Sequence, residues 1–162
     1  MTTEQTGQTK ARDSVAWLLT LGGDMQAAVG ERELLQLVEA PTLLAVPACP
    51  AYCRQVLYWN DRLLPALDLA AWLRADVDTS PWHLAGIVAC QTEPGAAPLL
   101  AALRLAAIPG RLRVSDTQAC ALPATPAGWS ELAVACFRHA GRAMPVLDLP
   151  CLLAGSLLRV VR

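Results

Sequence analysis

The stretch Arg62-Leu-Leu-Pro-Ala-Leu-Asp-Leu69 returns as Arg142-Ala-Met-Pro-Val-Leu-Asp-Leu149, with its arginine, proline, second leucine pair and aspartate in place. The offset is 80 residues at every matched position, close to half of the 162-residue chain, and Leu73 returns as Leu153 at the same offset. A solenoid would repeat every ~20–50 residues and need three or more units. The spacing therefore points to one fold duplicated once.

Reading outward, each copy is the returning arm of a hairpin. In the first, Val56–Tyr58 and Leu63–Leu67 flank Asn60-Asp61, residues that tolerate positive φ and suit a tight turn. In the second, Leu132–Phe137 and Ala143–Leu147 flank Arg138-His-Ala-Gly141, which reads as a longer turn. Pro65 and Pro145 are expected at an edge or a bulge, where the missing N–H is tolerated. Asp68 and Asp148 each precede a helix-like run, Leu69-Ala-Ala-Trp-Leu73 and Leu149-Pro-Cys-Leu-Leu153, and are expected to cap it, with Pro150 in the first turn.

The remaining chain carries mostly strand signals. Val15 to Leu21 places large apolar residues at odd positions, and Gly22-Gly23-Asp24 turns it into Met25–Val29, a first hairpin. Glu31 to Val38, acidic at its start and apolar at Leu34, Leu35, Leu37 and Val38, suits one to two helical turns. A crossover marked by Pro41, Pro47 and Pro50 follows. Leu84–Cys90 and Ala97–Leu105 read as strands around Glu93-Pro-Gly95, and Arg111–Val114 as a short one. Strand signals about every 8–12 residues predict an all-β fold of barrels or sandwiches with a few short helices.

Composition bounds the function. Thirteen basic and fourteen acidic residues give a net charge of −1, so no field draws in a nucleic-acid backbone. Apolar residues are 54% and charged ones 17%, against roughly 45–50% and 25% in typical domains, which allows a large core with apolar surface left over. The charge-free runs Ala40–Cys53 and Thr117–Ser130 are broken by proline, whereas a spanning helix needs about 20 apolar residues, so no membrane insertion is expected. Residues 1–13 are polar and lack the apolar segment of a signal peptide. They read as a disordered tail on a cytoplasmic protein, with one folded unit over 14–162.

Candidate chemistry is sparse. Asp68 and Asp148 could serve as a hydrolase's acid and base only if they share a cleft. Val77-Asp-Thr-Ser80 matches the aspartic-protease triplet superficially, but no second triplet stands at the repeat offset. His83 and His139 stand in no nucleophile motif, and Cys49, Cys53, Cys90, Cys120, Cys136 and Cys151 include no CxxC pair. No metal or cofactor is expected. Tyr52, Tyr58, Trp59 and Trp72 gather around the first repeat copy, and such residues are enriched at binding hot spots. Adjacent Tyr58 and Trp59 would face opposite sides of a strand.

Several stretches together resemble the CheW-like family of chemosensory adaptors. Trp17-Leu-Leu-Thr-Leu-Gly22 resembles the family's opening strand and glycine turn, and Glu33-Leu-Leu-Gln-Leu-Val38 the helix that follows. Val46-Pro-Ala-Cys-Pro-Ala-Tyr-Cys53 is similar to its proline-bounded crossover, and Gln55 to Leu69 to its hairpin with a Pro-x-x-Asp-Leu ending. Leu112-Arg-Val-Ser-Asp-Thr-Gln118 and Pro145–Leu149 match its second half. The family's hairpin-tip Arg-Gly is Asn60-Asp61 here, and its leading Gly is Gln55.

The resemblance implies an all-β, pseudo-duplicated pair of five-stranded β-barrels. It implies a non-enzymatic scaffold joining the cytoplasmic hairpin tip of chemoreceptors to the regulatory domain of a CheA-type histidine kinase, for flagellar or type IV pilus-driven motility, recruited to membrane receptor arrays. The positions matching its binding surfaces are Leu34, Gln36, Tyr52, Tyr58, Trp59, Asn60, Asp61 and Arg62. Loss of the tip arginine leaves a second reading open, a divergent member that binds one partner or antagonises the standard adaptor.

Overall fold

The computed structural model describes residues 11–74 and 78–156. The strands are β1 (Asp13–Gly22), β2 (Met25–Gly30), β3 (Leu34–Glu39), β4 (Leu43–Ala45), β5 (Gln55–Trp59), β6 (Arg62–Leu67), β7 (Leu84–Cys90), β8 (Leu99–Leu105), β9 (Gly110–Ser115), β10 (Ala133–His139) and β11 (Arg142–Leu147). Three short helices join them: α1 (Leu69–Arg74), α2 (Trp129–Leu132) and α3 (Leu149–Cys151), the last running into a wider turn over Leu152–Ser156.

Two sheets form, in the orders β10-β11-β2-β1-β9 and β3-β7-β8-β6-β5-β4. In the second, the edge strands β3 and β4 are consecutive in the chain and separated by a break at Ala40, whose φ is 44°. They act as one broken strand that closes the sheet. In the first, β9 leads through a turn at Asp116–Gln118 to an antiparallel bridge between Ala119 and Phe137 of β10. Each sheet is thus a barrel of five strands, as expected. The halves exchange hairpins: β1–β2 completes the barrel of β9–β11, and β7–β8 completes that of β3–β6.

The repeat holds bond by bond. Asn60 and Asp61 take φ of 48° and 58°, and Ala140 and Gly141, 80 residues on, take 48° and 76°. The second turn is therefore also a two-residue turn, with His139 paired to Arg142, and not the four-residue turn expected. Asp68 N donates to Tyr52 O and Asp148 N to Leu132 O, both at 2.8 Å. Leu132 ends α2, so the strand expected from Leu132 starts at Ala133. Pro65 and Pro145 pair with Val56 and Cys136 on the antiparallel side, and parallel pairing to β8 and β2 begins one residue later, at Ala66 and Val146. Neither proline lies on an edge strand. Each stands just before the second neighbour arrives, where a missing N–H costs no ladder bond.

Three apolar clusters divide the interior. One fills the second barrel (Leu57, Leu64, Ile87, Trp82 and neighbours) and one the first (Phe137, Met144, Ala28 and neighbours). The largest lies between the barrels and draws Leu19, Val29, Leu67, Leu69, Val88, Leu103, Leu132, Leu149 and Leu152 from both. Strand residues therefore bury both faces. In β7, Ala85 and Ile87 enter the barrel while Leu84 and Val88 enter the layer between barrels.

The expected helix over Glu31–Val38 is strand β3 instead. A register shift between Leu34 and Gln36 opposite β7 marks a bulge, which breaks the two-residue alternation. Leu34 and Leu37 then turn to one cluster and Val38 to another. The result imitates a helical spacing. At the N-terminus β1 begins at Asp13, paired with Ser115, so Asp13 belongs to the folded unit and not to the expected tail. Residues 1–10 of that tail lie outside the described residues.

Asp68 and Asp148 both cap their helices, accepting from Ala71 N at 3.0 Å and Cys151 N at 3.1 Å. Only Asp68 is also buried, at 8% exposed, and its second oxygen meets Arg104 Nη1 at 3.1 Å. Breaking one side of a buried pair costs about 3–5 kcal/mol, less where the survivor keeps other partners, and a lost cap alone about 1 kcal/mol. In urea unfolding, Asp148→Ala should therefore cost about 1 kcal/mol and Asp68→Ala about three times as much. Equal losses would show that the Arg104 contact contributes nothing.

Glu33 sits in the turn between β2 and β3, with Oε2 buried and without a hydrogen-bond partner. Burial pushes its carboxyl above the usual value, and the Asp148 charge adds to the effect. A folded-state pKa above the unfolded one means that stability falls as pH rises through the window above 4.5. Glu33→Gln should thus be more stable than the parent at pH 7, with the gain shrinking on acidification towards 4.5, as urea midpoints at the two pH values would show.

Candidate partner-binding surface

The β5–β6 hairpin presents two faces, as period-two geometry requires. Leu57 points inward and is fully buried, whereas Tyr58 points out at 53% exposed. Trp59 turns back towards the barrel interior, partly buried against its cluster, and its Nε1 donates to Gln36 Oε1 of β3 at 3.1 Å. The expected split of Tyr58 and Trp59 is observed. Directly across from Tyr58 stands Leu63, 59% exposed. Leu44 on β4, 49% exposed, pairs with Val56 on the same outer face.

At the tip, the Tyr58 hydroxyl donates to Asp61 Oδ1 at 2.8 Å, and Asn60, Asp61 and Arg62 are exposed. This bond holds the aromatic ring beside the turn. The surface is apolar in its middle and polar at one end.

The eight residues matched to binding surfaces do not all meet here. Gln36, Tyr58, Trp59, Asn60, Asp61 and Arg62 belong to this hairpin and its β3 contact. Leu34 is half-buried and packs on the layer between barrels, because the bulge turns it inward, and Leu35 is the exposed neighbour at 52%. Tyr52 packs on the same layer from the turn Ala51–Cys53, away from the tip, and burial raises its phenol pKa. Leu35, Leu44 and Leu63 were not singled out from sequence. Leu63 was legible, since a two-residue turn at Asn60-Asp61 dictates its pairing with Tyr58. Leu44 lies in the proline-rich crossover, where no periodicity marks it.

Arg104 is the most heavily bonded charge in the described residues. Its Nη1 and Nη2 donate to Asp68 Oδ2, Asp78 O, Asp78 Oδ2, Ser80 O and Ser80 Oγ at 2.9–3.1 Å, and its guanidinium lies 5.9 Å from the Trp82 ring centre. Asp78 Oδ1 accepts from Ser80 N and Oγ, and these bonds hold its carboxyl below the usual range. The triplet at Asp78 is thus a turn that clamps the segment before β7 onto the second barrel. Clefts of about 520 and 440 Å³ open on either side and share Asp68, Asp78, Ser80 and Arg104. These four shared residues are bonded to one another through Arg104 and Ser80.

Catalysis by the paired aspartates finds no supporting geometry. Each carboxylate caps its own helix, and Asp68 is further engaged by Arg104. His83 is exposed and His139 half-buried at the end of β10. Among the described residues no group of three or more His, Cys, Asp or Glu side chains could hold a metal ion, and no helix is long and apolar enough to cross a membrane.

Comparison with known proteins agrees with this architecture. The scaffolding protein TtCheW from Thermoanaerobacter tengcongensis superimposes with a TM-score of 0.64, at 10% sequence identity, over 88% of each chain. The search of curated proteins gives no match. The model of the CheW-like domain matches residues 16–156, a span that begins in β1 and ends in the turn after α3. With two closed barrels, exchanged hairpins and that match over most of its length, the chain belongs to the CheW-like domain family.

Proposed function

We propose that this protein is a non-catalytic adaptor that couples chemoreceptors to a histidine kinase of the CheA type in a chemotaxis or twitching-motility pathway. One surface holds the kinase regulatory domain and another the cytoplasmic receptor tip, so each partner raises the effective concentration of the other. No cofactor takes part, and membrane receptor arrays recruit the protein from the cytoplasm. Family membership supports the general role. The observation that carries the kinase-binding assignment is the outer face of β4–β6, where Leu44, Tyr58 and Leu63 are about half exposed side by side, as binding anchors inside a polar rim would be.

The altered turn favours one narrower reading. Asp61 is bonded to Tyr58 and stands where the family carries a glycine after its arginine, so the two turn residues offer no cation, and Arg62 comes one residue later. On this reading the protein engages the kinase domain and not the receptor, and acts as a one-partner member.

Two experiments separate these readings. Titration calorimetry with the regulatory domain of the histidine kinase from the same organism should give micromolar binding to the parent chain. Tyr58→Ala and Leu63→Asp should each weaken it by about 30-fold, the effect of losing a hot-spot side chain. Both are exposed, so melting temperatures should stay within a few degrees; parental affinity in both variants overturns the surface assignment. Replacing the tip pair, Asn60→Arg with Asp61→Gly, should create receptor-fragment binding if the one-partner reading holds. Failure to gain it counts against that reading and leaves kinase binding untouched.

A further inference from the structure

The two barrels close unequally. At matched positions Leu57 pairs with Leu43 within a three-pair β4–β5 ladder, whereas Phe137 has only the isolated bridge to Ala119. Cys120 and Cys136 stand at the next register position of that weaker seam. The Cys120 N–H donates to Cys136 O at 3.0 Å, so the two residues stand opposite each other. Residues opposite each other on antiparallel strands hold their Cα atoms about 4.5–5.5 Å apart, inside the ~4.4–6.8 Å range that a disulfide spans. Their sulfurs are already 3.5 Å apart.

We propose that Cys120 and Cys136 form a reversible peroxide-responsive dithiol that locks the seam of the first barrel. Cys120 is part-exposed and Cys136 is buried, which sets their roles. The Cys120 thiolate attacks hydrogen peroxide: an S–O bond forms, the O–O bond breaks, and the departing hydroxide takes a proton. Cys136 then attacks the Cys120 sulfenic sulfur, forming S–S and breaking S–O, and water leaves with the Cys136 proton. Two thiols and one peroxide become one disulfide and two waters. Burial first, then the Cys120 contact, pushes the Cys136 thiol to about 11, so Cys136 is not the sulfur that meets peroxide first.

The consequence is mechanical. Cys120 and Cys136 lie 16 residues apart, and the segment between them carries α2, whose Trp129 and Leu132 are buried in the layer between barrels. A bond across its ends fastens that segment and converts a single bridge into covalent closure. Breaking it with a dithiol restores the open seam.

The test uses the full chain, reduced, freed of reductant and exposed to hydrogen peroxide. Trypsin leaves both cysteines in the peptide 114–138, and cleavage after Glu131 then separates them. The expected result is that the two fragments remain joined until reduced, with a gain of about 5–10 °C in melting temperature for a loop of this size. Cys136→Ser should abolish the joined species and leave Cys120 as a dimedone-reactive sulfenic acid. Unjoined fragments from the oxidised parent, a disulfide between other cysteines, or over-oxidation of Cys120 without linkage overturns the proposal. The peptide map on the parent chain decides even where a variant folds poorly.

Discussion

The apolar layer between the barrels is the constraint on which the rest of the structure depends. Neither barrel is large: one is filled around Leu57 and Ile87, the other around Phe137 and Met144, and small cores supply little net stability. The layer joining them is the largest cluster, and it takes residues from both hairpins, from all three helices and from the turn after α3. The exchange of hairpins makes the coupling obligatory, since β1–β2 cannot leave one half without opening the barrel of the other. Double-sided burial also accounts for a composition of 54% apolar and 17% charged residues in so small a chain.

The duplicated motif shows how one local solution is used twice and then specialised. Turn, proline, parallel junction and capping aspartate recur at one offset, hydrogen bond for hydrogen bond. In the first copy the aspartate also receives Arg104 and becomes part of a buried polar cluster. In the second it only caps. Polar groups in such a cluster stabilise when every member is satisfied, and the bonds around Arg104 meet that condition.

Much of this was legible in the residues. The tight turn at Asn60-Asp61, the two caps, the first hairpin and strand β7 follow from local chemistry that tertiary contacts reinforce. The helix at Glu31–Val38 failed because a bulge and two separate cores produce a three-and-four spacing in a strand. That same bulge exchanged the roles of Leu34 and Leu35 at the candidate surface. The pairing of β1–β2 with β11 was invisible because it is a long-range parallel contact of a single register pair. Most of the candidate hairpin could be named from sequence. Leu44 could not, since its exposure is decided by the neighbour it pairs with.

The proposed function rests on the second barrel offering an exposed apolar face beside the Asn60-Asp61 turn. Backbone amide shifts of the full chain during titration with the kinase regulatory domain test this most directly. The account predicts shifts concentrated on β4, β5 and β6 and the Asn60-Asp61 turn. Shifts confined to the first barrel, or none at saturating domain, would contradict it.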